Sequence, residues 1–133
     1  MKSKVLIVDD CESINKVLYG TLETQKISCD IATSEQEAKE MLKKGHYWTV
    51  ILDVNLGGSS SFGLAGFIRE RSLKTQILII SGNMNEAIFY EYIKLGASDF
   101  FSKTQFNIIA ILESIKLSHL RHERWSGLFP EVQ

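Results

Sequence analysis

Four polar signals close four apolar runs in this chain. Asp9-Asp10 follow Val5-Leu6-Ile7-Val8, Asp53 follows Val50-Ile51-Leu52, Ser81 follows Ile77-Leu78-Ile79-Ile80, and Lys103 follows Phe100-Phe101 and Ser102. Brought together, three carboxylates repel one another and hold their protons more tightly unless a cation is supplied. A small hard cation such as Mg²⁺ suits a site of one or two carboxylates that leaves room for water and phosphate oxygens. Lys103 offers a second, mobile positive charge suited to a phosphoryl oxygen, and Ser81 a hydroxyl that can donate to the same group. A carboxylate nucleophile beside a metal, a lysine and a hydroxyl is what forming an aspartyl phosphate requires. In that reading Asp53 attacks in line while metal and lysine neutralise the charge being transferred.

Each signal alone has an ordinary explanation: an acidic N-cap, a turn former, a Ser-Gly loop, a solvated lysine. Their joint placement carries the argument. The gaps between Asp9, Asp53, Ser81 and Lys103 are 44, 28 and 22 residues, close to two, one and one βα repeats. Parallel strands put all their carboxyl ends on one rim, where open α/β sheets gather their chemistry.

The elements needed for that placement are legible. Trp48 to Leu52 reads as a buried central strand, and the runs ending at Asp9, Ser81 and Lys103 read as three more. Ser28 to Ala32, short and half polar, is expected at a sheet edge. Between the strands, apolar residues recur at helical spacing: Ile14, Val17, Leu18 and Leu22; Ala38, Met41 and Leu42; Leu64, Ala65, Phe67 and Ile68; a segment from about Asn85 to Leu95; and Ile108, Ile109, Leu112 and Ile115. Ser34 with Glu37 forms a capping box for the second helix, which stops at Gly45. Five strands alternating with five helices predict an α/β fold, a doubly wound parallel sheet with helices on both faces.

Composition agrees with one globular domain. The chain has 133 residues, 44% hydrophobic and 23% charged, with a formal net charge of -1, which argues against a nucleic-acid-binding surface covering the domain. No apolar run reaches the roughly 18 residues of a membrane span, and no signal peptide is expected. Cys11 and Cys29 lack metal-ligand spacing and read as reduced thiols of a cytoplasmic protein. The acidic pair is expected to raise the Cys11 thiol pKa. His46, His119 and His122 read as surface histidines.

With these residues in view, the chain resembles a response-regulator receiver domain of two-component signalling, CheY-like, over roughly residues 3 to 120. The resemblance rests on Asp9-Asp10, Asp53, Ser81 with Gly82 behind it, and Lys103. It implies a flavodoxin-like strand order 2-1-3-4-5, with Asp53 as phosphoacceptor from a histidine kinase or phosphotransfer protein. It further implies that Asp10 and Asp53 hold Mg²⁺ directly, Asp9 through water and Asn55 through its backbone carbonyl. Ser81 would bond the phosphoryl group, Gly82 would keep access open, and Phe100 would be the aromatic whose rotamer follows phosphorylation. Helix 4, strand 5 and helix 5 would form the face that meets a second copy or a downstream protein, with no direct role for nucleic acid or membrane. Such a domain catalyses only its own phosphorylation and slow dephosphorylation. Two alternatives are a receiver-like scaffold that works without phosphate and an aspartyl-phosphate phosphatase. The latter usually carries an Asp-x-Asp arrangement after its first strand, which this chain lacks there.

The chain departs from the family at Thr104, where a proline joined by a cis bond usually follows the lysine. A cis bond before a non-proline costs about 2.5–4 kcal/mol, so a trans bond with an altered loop is expected, or else a strained cis one. Gly57-Gly58-Ser59, where the family favours a proline and a shorter loop, should be mobile without phosphate and metal. Ile88-Phe89-Tyr90-Glu91-Tyr92-Ile93 is apolar or aromatic nearly all round, more than one buried helical stripe requires. The receiver unit is expected over residues 1–120 and a helical extension or tail over 121–133, which packs back, joins a second copy, or leads toward a further domain.

Overall fold

Period-two alternation places Leu6, Val8, Val50, Leu52, Ile77 and Ile79 on one face of a sheet, and Val5, Ile7, Ile51, Leu78 and Ile80 on the other. The structure is a computed structural model describing residues 4–129; residues 1–3 and 130–133, with Pro130 and the end of the expected tail, lie outside the described residues. Its strands and helices run β1 (Lys4–Val8), α1 (Glu12–Thr24), β2 (Cys29–Ala32), α2 (Glu35–Lys44), β3 (Tyr47–Asp53), the two-residue β4 (Asn55–Leu56) and β5 (Ser59–Ser60), α3 (Phe62–Arg71), β6 (Gln76–Ser81), α4 (Glu86–Lys94), β7 (Ala97–Ser102) and α5 (Ile108–Leu128). The main sheet is parallel with order β2-β1-β3-β6-β7. Setting aside the small β4-β5 hairpin, this is the order 2-1-3-4-5, with the half-polar second strand at an edge as expected.

Each face has its own core. Ala38 of α2, Leu64, Ala65 and Ile68 of α3 and Tyr92 of α4 pack on one; Leu18 and Leu22 of α1 and Ile111 and Ile115 of α5 pack on the other. A fully buried aliphatic side chain contributes about 1.5–3 kcal/mol, so these two layers hold the strand ends in register. All seven residues of β3 are buried, as a central strand covered on both faces requires.

Helix faces differ from the sequence reading in two places. On α1, Val17 is 47% exposed and Asn15 is buried. On α5, Ile109 is 71% exposed, and Ile111 takes the inner position. In both cases one apolar residue of a broad stripe was assigned to the wrong flank. At the second helix, Ser34 accepts the Glu37 N–H, while the Glu37 carboxylate reaches back to the Thr33 N–H at 2.7 Å. Gly45 ends that helix in an extended conformation, φ -128, so no left-handed cap is formed there.

α5 runs unbroken past position 120. Arg121 donates to Gln76 at 3.1 Å, the Lys74 ammonium donates to the Phe129 carbonyl at 3.1 Å, and the His119 ring lies 4.5 Å from Trp48. Residues 121–129 therefore pack back on the end of the sheet opposite the carboxyl rim.

Candidate functional site at the carboxyl rim

Register brings the polar signals together. Val8 pairs with Leu52, so Asp9 and Asp53 leave neighbouring strands at the same level. Asp53 pairs with Ile80, one residue before Ser81, and Ser81 pairs with Ser102, one residue before Lys103. Carboxylate oxygens of Asp9, Asp10 and Asp53 all lie within 4.8 Å of one another.

Lys103 ties this group. Its ammonium donates to Asp53 Oδ2 and to Asp9 Oδ1, each at 2.9 Å. It also lies 2.9 Å from Asp9 Oδ2 as an ion pair, without a hydrogen bond to that oxygen, which is buried and has no hydrogen-bond partner. Backbone N–H groups fix the carboxylates: Cys11 donates to Asp9 Oδ1 at 2.9 Å, Asn55 to Asp53 Oδ1 at 3.3 Å, and Gly57 to Asp10 Oδ2 at 2.9 Å. Burial pushes the Asp53 carboxyl above the usual carboxylate range and Asp9 adds to the rise, against the opposing pull of Lys103. Burial works against the charge on Lys103, but its bonds to Asp53 and Asp9 outweigh it and hold the ammonium above the usual lysine value. Three clustered carboxylates face one ammonium, which leaves negative charge in excess. An all-oxygen set with surplus negative charge fits a hard divalent cation.

Ser81 is buried, and its Oγ accepts the Asn83 N–H at 3.1 Å. Its backbone carbonyl accepts the Lys103 N–H at 2.9 Å. Gly82 is exposed and has open space where a Cβ would stand. Phe100 lies off this rim, half-buried, with its ring 4.4 Å from that of Phe89 on α4. On α4, Tyr92 is buried while Phe89, Tyr90 and Ile93 are 41%, 61% and 43% exposed.

Three features differ from or add to the sequence reading. Gly57-Gly58 closes an antiparallel hairpin with φ of +58 and +85, and the Gly57 N–H donates to Asp10. Two successive left-handed residues are what the tightest hairpin turn needs, and glycine supplies them at no steric cost. The Cys11 thiol is shifted downward, because hydrogen bonds from Ser13 and the Ile14 backbone outweigh the repulsion by Asp9; the opposite shift was expected from the acidic pair alone. Every peptide bond among the described residues is trans, Lys103–Thr104 included, and Ser102 Oγ accepts the N–H groups of Thr104 and Gln105 to shape the altered loop.

Two polar positions escaped sequence reasoning. Asn15 Nδ2 donates to the Asp9 carbonyl at 2.8 Å and so steadies the end of β1; an amide on the inner stripe of α1 was its legible signal. Ser61, whose N–H donates to the Val54 carbonyl at 2.7 Å, shares a 2.9 Å hydrogen bond with the Tyr92 hydroxyl. That pair joins the chain just after Asp53 to α4, and nothing in the local sequence announces it.

A doubly wound five-stranded sheet carrying clustered carboxylates and a lysine at its carboxyl rim defines a class of α/β domain that works at that rim. The chain belongs to the response regulator receiver domain family, whose sequence profile it matches over residues 5–116. It is 29% identical over 124 residues to an NtrX-like response regulator of Rickettsia conorii, covering 90% of this chain and 26% of the relative. It is 32% identical over 104 residues to the response regulator protein PilR of Pseudomonas aeruginosa, covering 77% and 23%. The chain thus spans about a quarter of the length of these relatives. Among solved structures, chemotaxis protein CheY4 of Vibrio cholerae superposes with a TM-score of 0.79 at 26% identity, covering 89% of this chain and 99% of that one. A CheY-like receiver domain of Methanospirillum hungatei gives a TM-score of 0.86 at 19% identity, covering 93% and 98%.

Proposed function

We propose that Asp53 accepts a phosphoryl group from the phosphohistidine of a histidine kinase or phosphotransfer protein, with Mg²⁺ as the cation. The observation that carries this reading is the Lys103 ammonium hydrogen-bonded at once to Asp53 and Asp9, at 2.9 Å each. An Asp53 oxygen forms the new P–O bond as the P–N bond of the donor breaks and its electron pair returns to the imidazole nitrogen. Lys103 moves from carboxylate to phosphoryl oxygen as charge builds there. The Ser81 oxygen already accepts the Asn83 N–H, which leaves the hydroxyl hydrogen free to donate to the phosphoryl group. Asp10 and Asp53 directly, Asp9 through water and the Asn55 carbonyl would hold Mg²⁺, which when bound neutralises charge on the phosphoryl oxygens. Open space at Gly82 admits the donor. The reaction is self-catalysed on a single side chain.

Intact-mass measurement after incubation with acetyl phosphate and Mg²⁺ tests this. A phosphate-sized gain is expected in the parent chain and none in Asp53→Ala; an unmodified parent would favour a scaffold role instead.

The receiver unit we assign is 1–120, with 121–133 as a helical extension or tail, working in the cytoplasm. Among the described residues no helix is long and apolar enough to cross a membrane. Phosphorylation is read out through Ser81 and Phe100. The Phe100 ring rests on Phe89, so a change in its rotamer alters the exposed Phe89, Tyr90 and Ile93 surface of α4. This face, with β7 and α5, would meet a second copy or a downstream protein. Phe89→Ser with Tyr90→Ser is expected to abolish phosphorylation-dependent association in sedimentation velocity while leaving the mass gain on Asp53 intact. Association that survives the double change counts against this face.

A further inference from the structure

The end of the sheet opposite the carboxyl rim carries a cavity of about 430 Å³, within the range of small-ligand sites. Its lining includes Lys43, Lys44, His46, Arg71, Lys74 and His122 and, among the described residues, no carboxylate. The whole chain has 16 Asp and Glu against 15 Lys and Arg, so this one-sided lining does not follow from composition. Among the described residues, Lys43, Lys44, Arg71 and Lys74 take part in no ion pair.

Part of this charge has a local explanation. Lys43, Lys44 and Arg71 stand in the last turns of α2 and α3, where a cation offsets the negative helix end, and Arg71 also lies over the Phe67 ring. Lys74 and His122 have no such reason. Lys74 is only 5% exposed, and among the described residues its ammonium makes one hydrogen bond, to the Phe129 carbonyl. A lysine is rarely buried without a counter-charge, because loss of hydration then goes uncompensated. His122 approaches from α5; burial first, and then the Lys74 charge, push its pKa down. Basic residues of α2, α3, the entry to β6 and α5 therefore line one concavity, together with Leu42 and Ile68.

We propose that this cavity binds a di- or triphosphate group, free or as the phosphate chain of a nucleotide. Lys43 and Lys44 at the mouth and Lys74 inside supply the charge-assisted hydrogen bonds such an anion needs. The site is separate from the carboxyl rim and does not depend on Asp53 chemistry.

The test is calorimetric titration of the whole chain, without Mg²⁺, against pyrophosphate, ADP and adenosine. Pyrophosphate and ADP are expected to bind one per chain and adenosine not at all. Tighter binding of ADP assigns the nucleotide as the source; equal binding assigns the inorganic anion. Lys43→Gln with Lys44→Gln, both exposed and so expected to fold, should weaken binding about tenfold or more, and Lys74→Met should do the same. The Lys43/Lys44 variant should still gain phosphate on Asp53, which keeps failure here distinct from failure of the phosphoacceptor reading. No binding of either phosphate, or binding unchanged in the Lys43/Lys44 variant, would overturn the proposal. So would salt-sensitive capture of duplex DNA that pyrophosphate does not displace, which would assign this face to nucleic acid.

Discussion

Replacing Lys103 with methionine is expected to destabilise the chain, without added divalent ion, by about 3–5 kcal/mol at pH 7 and to abolish phosphate acceptance. The Asp9 side chain is 1% exposed and that of Asp53 7%, whereas Lys103 is 18% exposed. Methionine keeps most of the stem's packing and removes the charge, so two desolvated carboxylates are left facing each other and Asp10. Losing one partner of a buried pair costs far more than the pair contributes, because the remaining charge has neither water nor counter-ion. The folded Lys103 pKa lies above the ordinary lysine value, so its contribution is complete below that ordinary value and fades only as pH rises through the higher, folded one. At pH 7 the substitution removes all of it. Since the abandoned carboxylates can relieve themselves by taking up protons, the loss should shrink as pH falls. Mg²⁺ should raise the midpoint of urea unfolding more in the variant than in the parent, because the ion supplies the missing positive charge. A loss under about 1 kcal/mol, the value for an exposed pair, would show that Lys103 is solvated and does not hold the rim together.

The reason this rim could be anticipated lies in what makes a strand end visible. Three aliphatic or β-branched runs and the aromatic pair Phe100-Phe101 each give way to polar residues, and parallel pairing forces those stops to one edge; Val8 opposite Leu52 and Ser81 opposite Ser102 are that rule realised. Strand order came from resemblance and not from the residues, since periodicity does not say which strands are neighbours. What escaped notice depended on contacts between distant segments. Asn15 lies on the buried side of α1, where it donates to the Asp9 carbonyl, while Val17 is exposed, and on α5 Ile111 and Ile115 join the core while Ile109 is exposed. The Gly57-Gly58 turn is not announced by its residues, because glycine permits many conformations as readily as a left-handed turn; the Gly57 N–H bond to Asp10, 47 residues away, ties the turn to the rim. Cys11 shows the same limit: acidic neighbours in sequence raise a thiol pKa, but hydrogen bonds set by the local fold reverse the sign.

Asp53→Asn is expected to stabilise the ion-free chain at pH 7, by about 0.5–2 kcal/mol, although it removes the residue on which the proposed chemistry occurs. Burial and the charge of Asp9 raise the folded pKa of Asp53 despite Lys103. A carboxyl whose folded pKa exceeds its unfolded value, about 3.9, contributes stability fully below that unfolded value and loses it as pH rises through the folded one. At pH 7 the ionised group therefore opposes folding, and an amide of the same shape relieves the opposition while still accepting from Lys103. The advantage of the amide should narrow as the solution is acidified toward the unfolded value. Mg²⁺ reverses the ranking. A ligand at 100 times its Kd stabilises by about 2.7 kcal/mol, a gain open to the parent, with its full set of carboxylates, and largely closed to the variant. Urea unfolding at pH 7 with and without Mg²⁺ should show the two stability orders crossing. An Asp53→Asn chain less stable than the parent without the ion would mean that Lys103 already satisfies the rim, and that no surplus negative charge waits there for a cation and a phosphoryl group.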